Sequence, residues 1–72
     1  LVYANMGNYR QEANAYKEAL RIDPDFVEAH YNMGLYYLRS GERNAALEQY
    51  KILKKLDDER ADQLFDLVYG DR

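Results

Sequence analysis

The segment that decides the fold runs from Val27 to Arg60 and reads VEAHYNMGLYYLRSGERNAALEQYKILKKLDDER. With a period near 3.6 residues, small and apolar side chains share one face in each half of it. The members of that face are His30, Met33, Gly34, Tyr37 and Leu38 in the first half and Ala46, Leu47, Tyr50 and Leu53 in the second. Ser40-Gly41 separates the halves and is typical of a turn. The segment therefore predicts two amphipathic helices joined by a tight turn.

The sizes of the side chains on these faces predict how the two helices pack. Gly34 and Ala46 fall where two helix backbones would approach most closely. Tyr37 and Tyr50 fall about one turn further along, where a bulky side chain is needed to fill the space between the helices. This alternation of small and large residues predicts an interdigitated contact.

The same pattern recurs earlier in the chain after a shift of 34 residues. The shift pairs Tyr3 with Tyr37, Gly7 with Gly41, and Tyr16 with Tyr50. Glu12 is an exception, because it falls at the position of the small Ala46. A fixed period of this length predicts a repeat protein, in which each helix pair buries its apolar face against the next.

The repeated unit resembles the tetratricopeptide repeat, a 34-residue helix–turn–helix. The residues that carry the resemblance are His30-x2-Met33-Gly34-x2-Tyr37 and Ala46-x3-Tyr50, with Ala19 and Pro24 in the closing positions of the earlier unit. His30, Leu53 and Asp58 depart from the family's tryptophan, alanine and proline. The resemblance implies an all-α fold of antiparallel helix–turn–helix repeats, stacked as a short right-handed solenoid with a C-terminal capping helix.

The period divides the chain into a partial repeat over residues 1–24, a complete repeat over 25–58, and a capping helix or the start of a further repeat over 59–70. We expect the chain to be part of a longer array, beginning within a helix. Gly7 is predicted to end that first helix in a φ > 0 turn, as Gly41 does later. A second helix is predicted from about Arg10 to Ile22, ending at Asp23-Pro24.

Three further helix boundaries carry local signals. Asp25 and Glu28 have the spacing of a capping box, which predicts a helix from about residue 26 to Ser40. The next helix is predicted to run to about Leu56 with Glu42 or Asn44 as its cap. The run Asp57-Asp58-Glu59 places negative charge at the start of a last helix that ends at Tyr69-Gly70. Its predicted apolar stripe consists of Ala61, Leu64, Phe65, Leu67 and Val68.

Composition argues against most chemical functions. The chain has no cysteine and one histidine, so disulfides and thiolate metal sites are excluded and we expect no bound metal or cofactor. His30 lies on the predicted packing face and Ser40 in a turn, and no glycine-rich phosphate loop is present; we expect no catalytic residue and no enzyme. No apolar run approaches 18 residues, which predicts a soluble protein without membrane insertion, in a compartment the sequence does not identify. The net charge is −3 without a concentrated basic face, which argues against nucleic acid.

What remains is a surface for another protein or peptide. The resemblance implies that the first helix of each repeat lines a concave groove in which a peptide or partner helix binds. The positions that this assigns are Asn5, Glu28, Tyr31, Asn32, Leu35, Leu38, Arg39, Asp62, Phe65, Asp66 and Tyr69. An alternative for the aromatic members is that Phe65 and Tyr69 pack against Tyr31 and Leu35 and merely close the stack.

The charges of these positions bear on the partner. Co-chaperones of the resembled family hold the acidic C-terminus of a heat-shock chaperone with lysines, an arginine and asparagines. Asn32 fits one asparagine position, but Asp62 and Asp66 stand where the cations would be. Two anions would repel an acidic ligand. The sequence therefore favours a basic or arginine-bearing peptide.

A second function, from a different class, is self-assembly. Repeats can stack between chains through heterologous contacts. The N-terminal end of the partial repeat would carry such a contact through Leu1, Val2 and Tyr3. This alternative predicts a homo-oligomer.

Overall fold

The computed structural model describes residues 2–70, with side chains described from Arg10 onward. It consists of four helices: α1 (Val2–Ile22), α2 (Val27–Arg39), α3 (Arg43–Leu56) and α4 (Asp58–Tyr69). The predicted all-α fold is confirmed. In the part of the chain that the structure describes, no helix combines the length and apolar character needed to cross a membrane.

The helices pack as successive antiparallel pairs around α2. Helix α2 contacts α1, α3 and α4, and α3 also contacts α4, whereas α1 contacts only α2 among the four described helices. The whole arrangement is a slab of 36 × 35 × 16 Å. The short connections over 23–26 and 40–42 make neighbouring helices antiparallel, as the repeat pattern predicts.

The predicted break at Gly7 is wrong, because α1 runs through it without interruption from Val2 to Ile22. Glycine is tolerated inside a helix at a cost of about 1 kcal/mol relative to alanine, so it does not end one unaided. At Gly41, with φ of 79°, the turn has further support. The Ser40 hydroxyl donates to the carbonyls of Tyr36 and Tyr37 at the helix end. Met6 occupies the position equivalent to Ser40 and has no hydroxyl to supply.

The starts of α2 and α4 differ in how they are capped. The prediction that Asp25 caps α2 is wrong: Phe26 is the N-cap and no side chain caps it. The acidic side chain that stabilises the turn before α2 is instead that of Asp23, whose carboxylate accepts a hydrogen bond from the Asp25 backbone N–H at 3.2 Å. At α4 the predicted acidic run does stand at the start of the helix, with Asp58 and Glu59 in its first turn. The structure adds that Asp57 is the N-cap, its carboxylate accepting the Arg60 N–H at 3.2 Å.

The core is narrow and contains many small residues. The buried apolar residues among those described are Ala13, Ala29, Met33, Ala46, Leu53, Ala61, Leu64 and Val68. Gly34 is buried as predicted, but it faces a side chain rather than a backbone: a Cβ built there would lie 2.6 Å from Leu64 Cδ2. Two members of the predicted α4 stripe, Phe65 and Leu67, are exposed, because α2 and α3 together cover only the side of α4 that carries Ala61, Leu64 and Val68.

Candidate functional site

The predicted surface residues of α2 divide between packing and exposure. Tyr31, Leu35 and Leu38 are half-buried and pack against the cluster of Leu53, Ala61 and Leu64. Glu28 and Arg39 are exposed, and Asn32 is half-buried. Helix α2 therefore uses part of its predicted binding face to hold α3 and α4.

The predicted surface residues of α4 lie beside α3. The Phe65 ring is 5.2 Å from the Tyr50 ring and 4.8 Å from the Tyr69 ring, measured between centroids. The Asp62 carboxylate lies 3.8 Å from Lys54 Nζ of α3. Phe65 thus contacts the Tyr50 ring of α3 and the Tyr69 ring of its own helix. We refer to the predicted positions on α2 and on α4 as the two parts of a divided surface.

Two arginines cover aromatic members of the predicted surface. The Arg60 guanidinium carbon lies 5.0 Å from the centroid of the Tyr31 ring, and that of Arg43 lies 5.7 Å from the Tyr69 ring. These are cation–π distances. The sequence analysis missed both arginines, because each contact joins residues from different helices and depends on how α4 packs.

A cavity of about 160 Å³ lies between α1 and α2. Its lining combines three predicted residues with three that the sequence analysis missed: Asn32, Leu35 and Arg39, with Glu12, Tyr16 and Tyr36. The 34-residue period explains why it is open. In the second repeat α2 covers Ala46, which is fully buried. Glu12 is the residue 34 positions before Ala46, and it stays exposed. Because α1 is one continuous helix from Val2 to Ile22, its first part does not turn back to cover Glu12.

Three carboxylates of the described residues, one that lines the cavity and two at predicted surface positions, are unpaired. Among the described residues, Glu12, Glu28 and Asp66 form no ion pair, whereas Asp58 and Asp62 lie 2.6 and 3.8 Å from Lys54 Nζ. The hydrogen bond to Asp58 raises the pKa of Lys54. The three unpaired carboxylates lie on α1, α2 and α4 respectively.

A cluster of metal ligands and the environment of His30 are the two places where the described side chains could support chemistry. No group of three His, Cys, Asp or Glu residues able to hold a metal ion occurs among them. His30 is buried, with Nδ1 2.8 Å from Gln49 Oε1 and Nε2 donating to the Pro24 carbonyl at 2.7 Å. Both ring nitrogens are engaged in holding the α1–α2 turn and α3 to α2, which is a structural use of the only imidazole.

Some predicted residues fall in the N-terminal segment. Leu1 lies outside the described residues, and so do the side chains of Val2, Tyr3 and Asn5. The backbone of the last three belongs to α1. Their assigned roles remain predictions.

Comparison with known proteins is consistent with this architecture. A family model described as "TPR repeat" matches residues 1–41, and another described as "Tetratricopeptide repeat" matches residues 27–60. Over 51 residues the chain is 33% identical to the tetratricopeptide repeat and J domain-containing co-chaperone DNJ1 of Cryptococcus neoformans var. grubii. That match covers 71% of the chain but 10% of the relative. No solved structure matches the chain.

Proposed function

Because the chain belongs to the tetratricopeptide repeat family, whose members are non-catalytic interaction scaffolds, we propose that it binds a peptide or partner helix in the groove beside α2. Membership of this family supports a protein–protein interaction module. The name of the relative describes a co-chaperone that combines such repeats with a J domain.

The observation that carries the proposal is the cavity between α1 and α2. Its lining combines the apolar Leu35 with the polar or charged Glu12, Asn32 and Arg39 and with two tyrosines. A few oriented polar groups around apolar surface is the usual composition of a binding pocket. At about 160 Å³ the cavity suits one side chain of a bound polypeptide rather than a free ligand.

The open carboxylates favour a basic partner. Glu12 lines the cavity, and Glu28 and Asp66 are exposed on α2 and α4. Each of these carboxylates would attract a lysine or arginine of an approaching peptide and would repel an acidic peptide. Tyr31 and Tyr69 lie under Arg60 and Arg43, so the partner's cation would reach the carboxylates rather than these two rings.

Calorimetric titration with two peptides of equal length, one arginine-bearing and one with glutamates in place of the arginines, tests this proposal. We expect the basic peptide to bind more tightly, and Glu12→Lys to weaken its binding about tenfold or more. Glu18→Lys is the matched control, because it makes the same charge change on α1 at an exposed position outside the cavity.

Either of two results would contradict the proposal: tighter binding of the acidic peptide, or equal losses for Glu12→Lys and Glu18→Lys. Asp66→Lys extends the test to α4. If it weakens binding as Glu12→Lys does, then the partner spans both parts of the divided surface.

The straight course of α1 favours a second candidate function, self-association through the N-terminal end. Helix α2 has 13 residues, so it can flank the stretch 10–22 of α1, and residues 2–9 extend roughly 12 Å further at 1.5 Å per residue. This part of the helix could stack on another chain through Val2 and Tyr3. Tyr3→Asp should then dissociate an oligomer in sedimentation experiments; an unchanged mass would rule this end out.

A further inference from the structure

An open depression of the surface, separate from the cavity between α1 and α2, lies where α3 meets the α1–α2 turn; this corner is defined by its lining residues Asp25, Glu48, Lys51, Ile52, Lys55 and Leu56. Five large hydrophobic side chains are prominently exposed among those described; one of them, Ile52, lines this corner, and two others, Ile22 and Phe26, flank the turn that carries Asp25. Ile22 and Phe26 flank the α1–α2 turn with 73% and 41% of their surface exposed, and Ile52 lies on α3 with 38% exposed. Asp25 of the turn and Ile52 and Leu56 of α3 line one open depression of about 400 Å³.

The repeat does not require an apolar residue at Ile52. The 34-residue shift places Glu18 at the equivalent position of the preceding repeat, where it is exposed and paired with Arg21. Packing within the helix pairs therefore accepts a charged side chain there. Leucine 56 continues the apolar floor one turn further along α3. Ile52 and Leu56 form an apolar floor that is in contact with water. Since packing within the repeats does not require an apolar residue at Ile52, this floor indicates an interaction surface.

The rim of the depression is balanced in charge. It carries Asp25 and Glu48 on the acidic side and Lys51 and Lys55 on the basic side. Lys51 Nζ lies 3.5 Å from the Glu48 carboxylate, so these two compensate each other. Among the described residues, neither the Asp25 carboxylate nor Lys55 takes part in an ion pair. One open anion on the turn and one open cation on α3 therefore remain.

We propose that this corner binds a second copy of the chain about a two-fold axis. In a two-fold contact the same surface is used twice, so Lys55 of each copy meets Asp25 of the other at the rim while the two apolar floors face each other across the axis. A uniformly basic or acidic partner would satisfy one open charge and be repelled by the other. A second copy satisfies both, and this self-complementarity identifies it as the occupant.

Sedimentation of the 72-residue chain from micromolar to millimolar concentration tests the contact through a charge exchange. Lys55→Glu and Asp25→Lys each place like charges opposite one another twice. We expect each single variant to lower the association constant at least about tenfold, and the double variant to return it to near the original value because the pairing is restored in reverse. Lys17→Glu and Glu59→Lys make the same charge changes at exposed positions elsewhere and should have no effect.

A dilution series followed by amide chemical shifts locates the contact without any substitution. The expected changes fall on residues 22–26 and 48–56. A chain that stays monomeric at millimolar concentration would overturn the proposal. So would association that ignores both single variants, a double variant that fails to recover, or shifts confined to the first half of α1 or to α4.

Discussion

At the scale of single residues, Gly34 of α2 packs directly against Leu64 of α4. A Cβ at Gly34 would lie 2.6 and 2.9 Å from the two terminal carbons of Leu64. Leu64 is fully buried and so has little room to turn aside. The sequence predicts that position 34 must be small, because the repeat pattern places it at a helix contact. It does not show that the neighbour is a leucine side chain from α4.

This contact predicts that the effect of Gly34→Ala depends on residue 64. Alanine favours a helix by about 1 kcal/mol over glycine, but crowding against Leu64 offsets that gain at a cost of roughly 1–3 kcal/mol. We therefore expect Gly34→Ala to lower the free energy of unfolding in the original chain and to raise it in the Leu64→Val background. Urea denaturation of the four proteins measures both. Equal effects in the two backgrounds would contradict the prediction.

His30 predicts a loss of stability that volume alone does not explain. Its two ring nitrogens hold Gln49 and the Pro24 carbonyl, so His30→Phe keeps a ring of similar size and removes both hydrogen bonds. We expect a loss of about 1–2 kcal/mol in the free energy of unfolding by urea denaturation. Gln49→Leu, which removes one bond at a half-buried site, should cost less. A His30→Phe chain as stable as the original would show that packing alone matters there.

At the scale of helices, the sequence predicts most boundaries and fails where one signal stood alone. The ends around Pro24, Gly41 and Asp57 are found within one or two residues, because each combines a backbone constraint with hydrogen-bonding side chains. Gly7 lacks such partners, and α1 continues through it. The 34-residue shift shows that Gly7 and Gly41 occupy equivalent positions in the sequence. A helix ends only where local interactions end it, as they do at Gly41 but not at Gly7.

Substitution by alanine should therefore change the free energy of unfolding in opposite directions at Gly7 and at Gly41. Gly7 lies inside α1, so Gly7→Ala should raise the free energy of unfolding by roughly 0.5–1 kcal/mol. Gly41 has φ of 79°, which strains alanine, so Gly41→Ala should lower it by about 1 kcal/mol or more. Thermal or urea unfolding followed by circular dichroism compares them directly. A destabilising Gly7→Ala would instead support the turn that the sequence first suggested.

The candidate site was less predictable than the helices for a reason that also belongs to this scale. Helical spacing correctly groups Asp62, Phe65, Asp66 and Tyr69 on one side of α4. Which neighbour that side faces depends on the rotation of α4 about its own axis, and that rotation is fixed by Ala61 and Leu64 packing onto α2 and α3. Phe65 therefore meets Tyr50, and the cavity forms instead between α1 and α2.

At the scale of the whole molecule, stability rests on few large side chains. Only Met33, Leu53 and Leu64 are both large and fully buried among the described residues, and four of the other buried apolar residues are alanines. A chain of 72 residues buries a limited share of its surface. The proposed association with a partner or a second copy would therefore add a substantial fraction of its stability.

The connectivity of the four helices also determines the order in which they come apart. Detaching α1 breaks one interface, whereas detaching α2 breaks three. Native-state hydrogen exchange should therefore find amides of α1 over 10–22 exchanging through a partial opening that leaves α2, α3 and α4 folded. The amides of α2 should exchange only through global unfolding of the chain. Equal protection of the α1 and α2 amides would mean that the chain unfolds as one cooperative unit. In that case α1 would not separate on its own, although it contacts only α2 among the described helices.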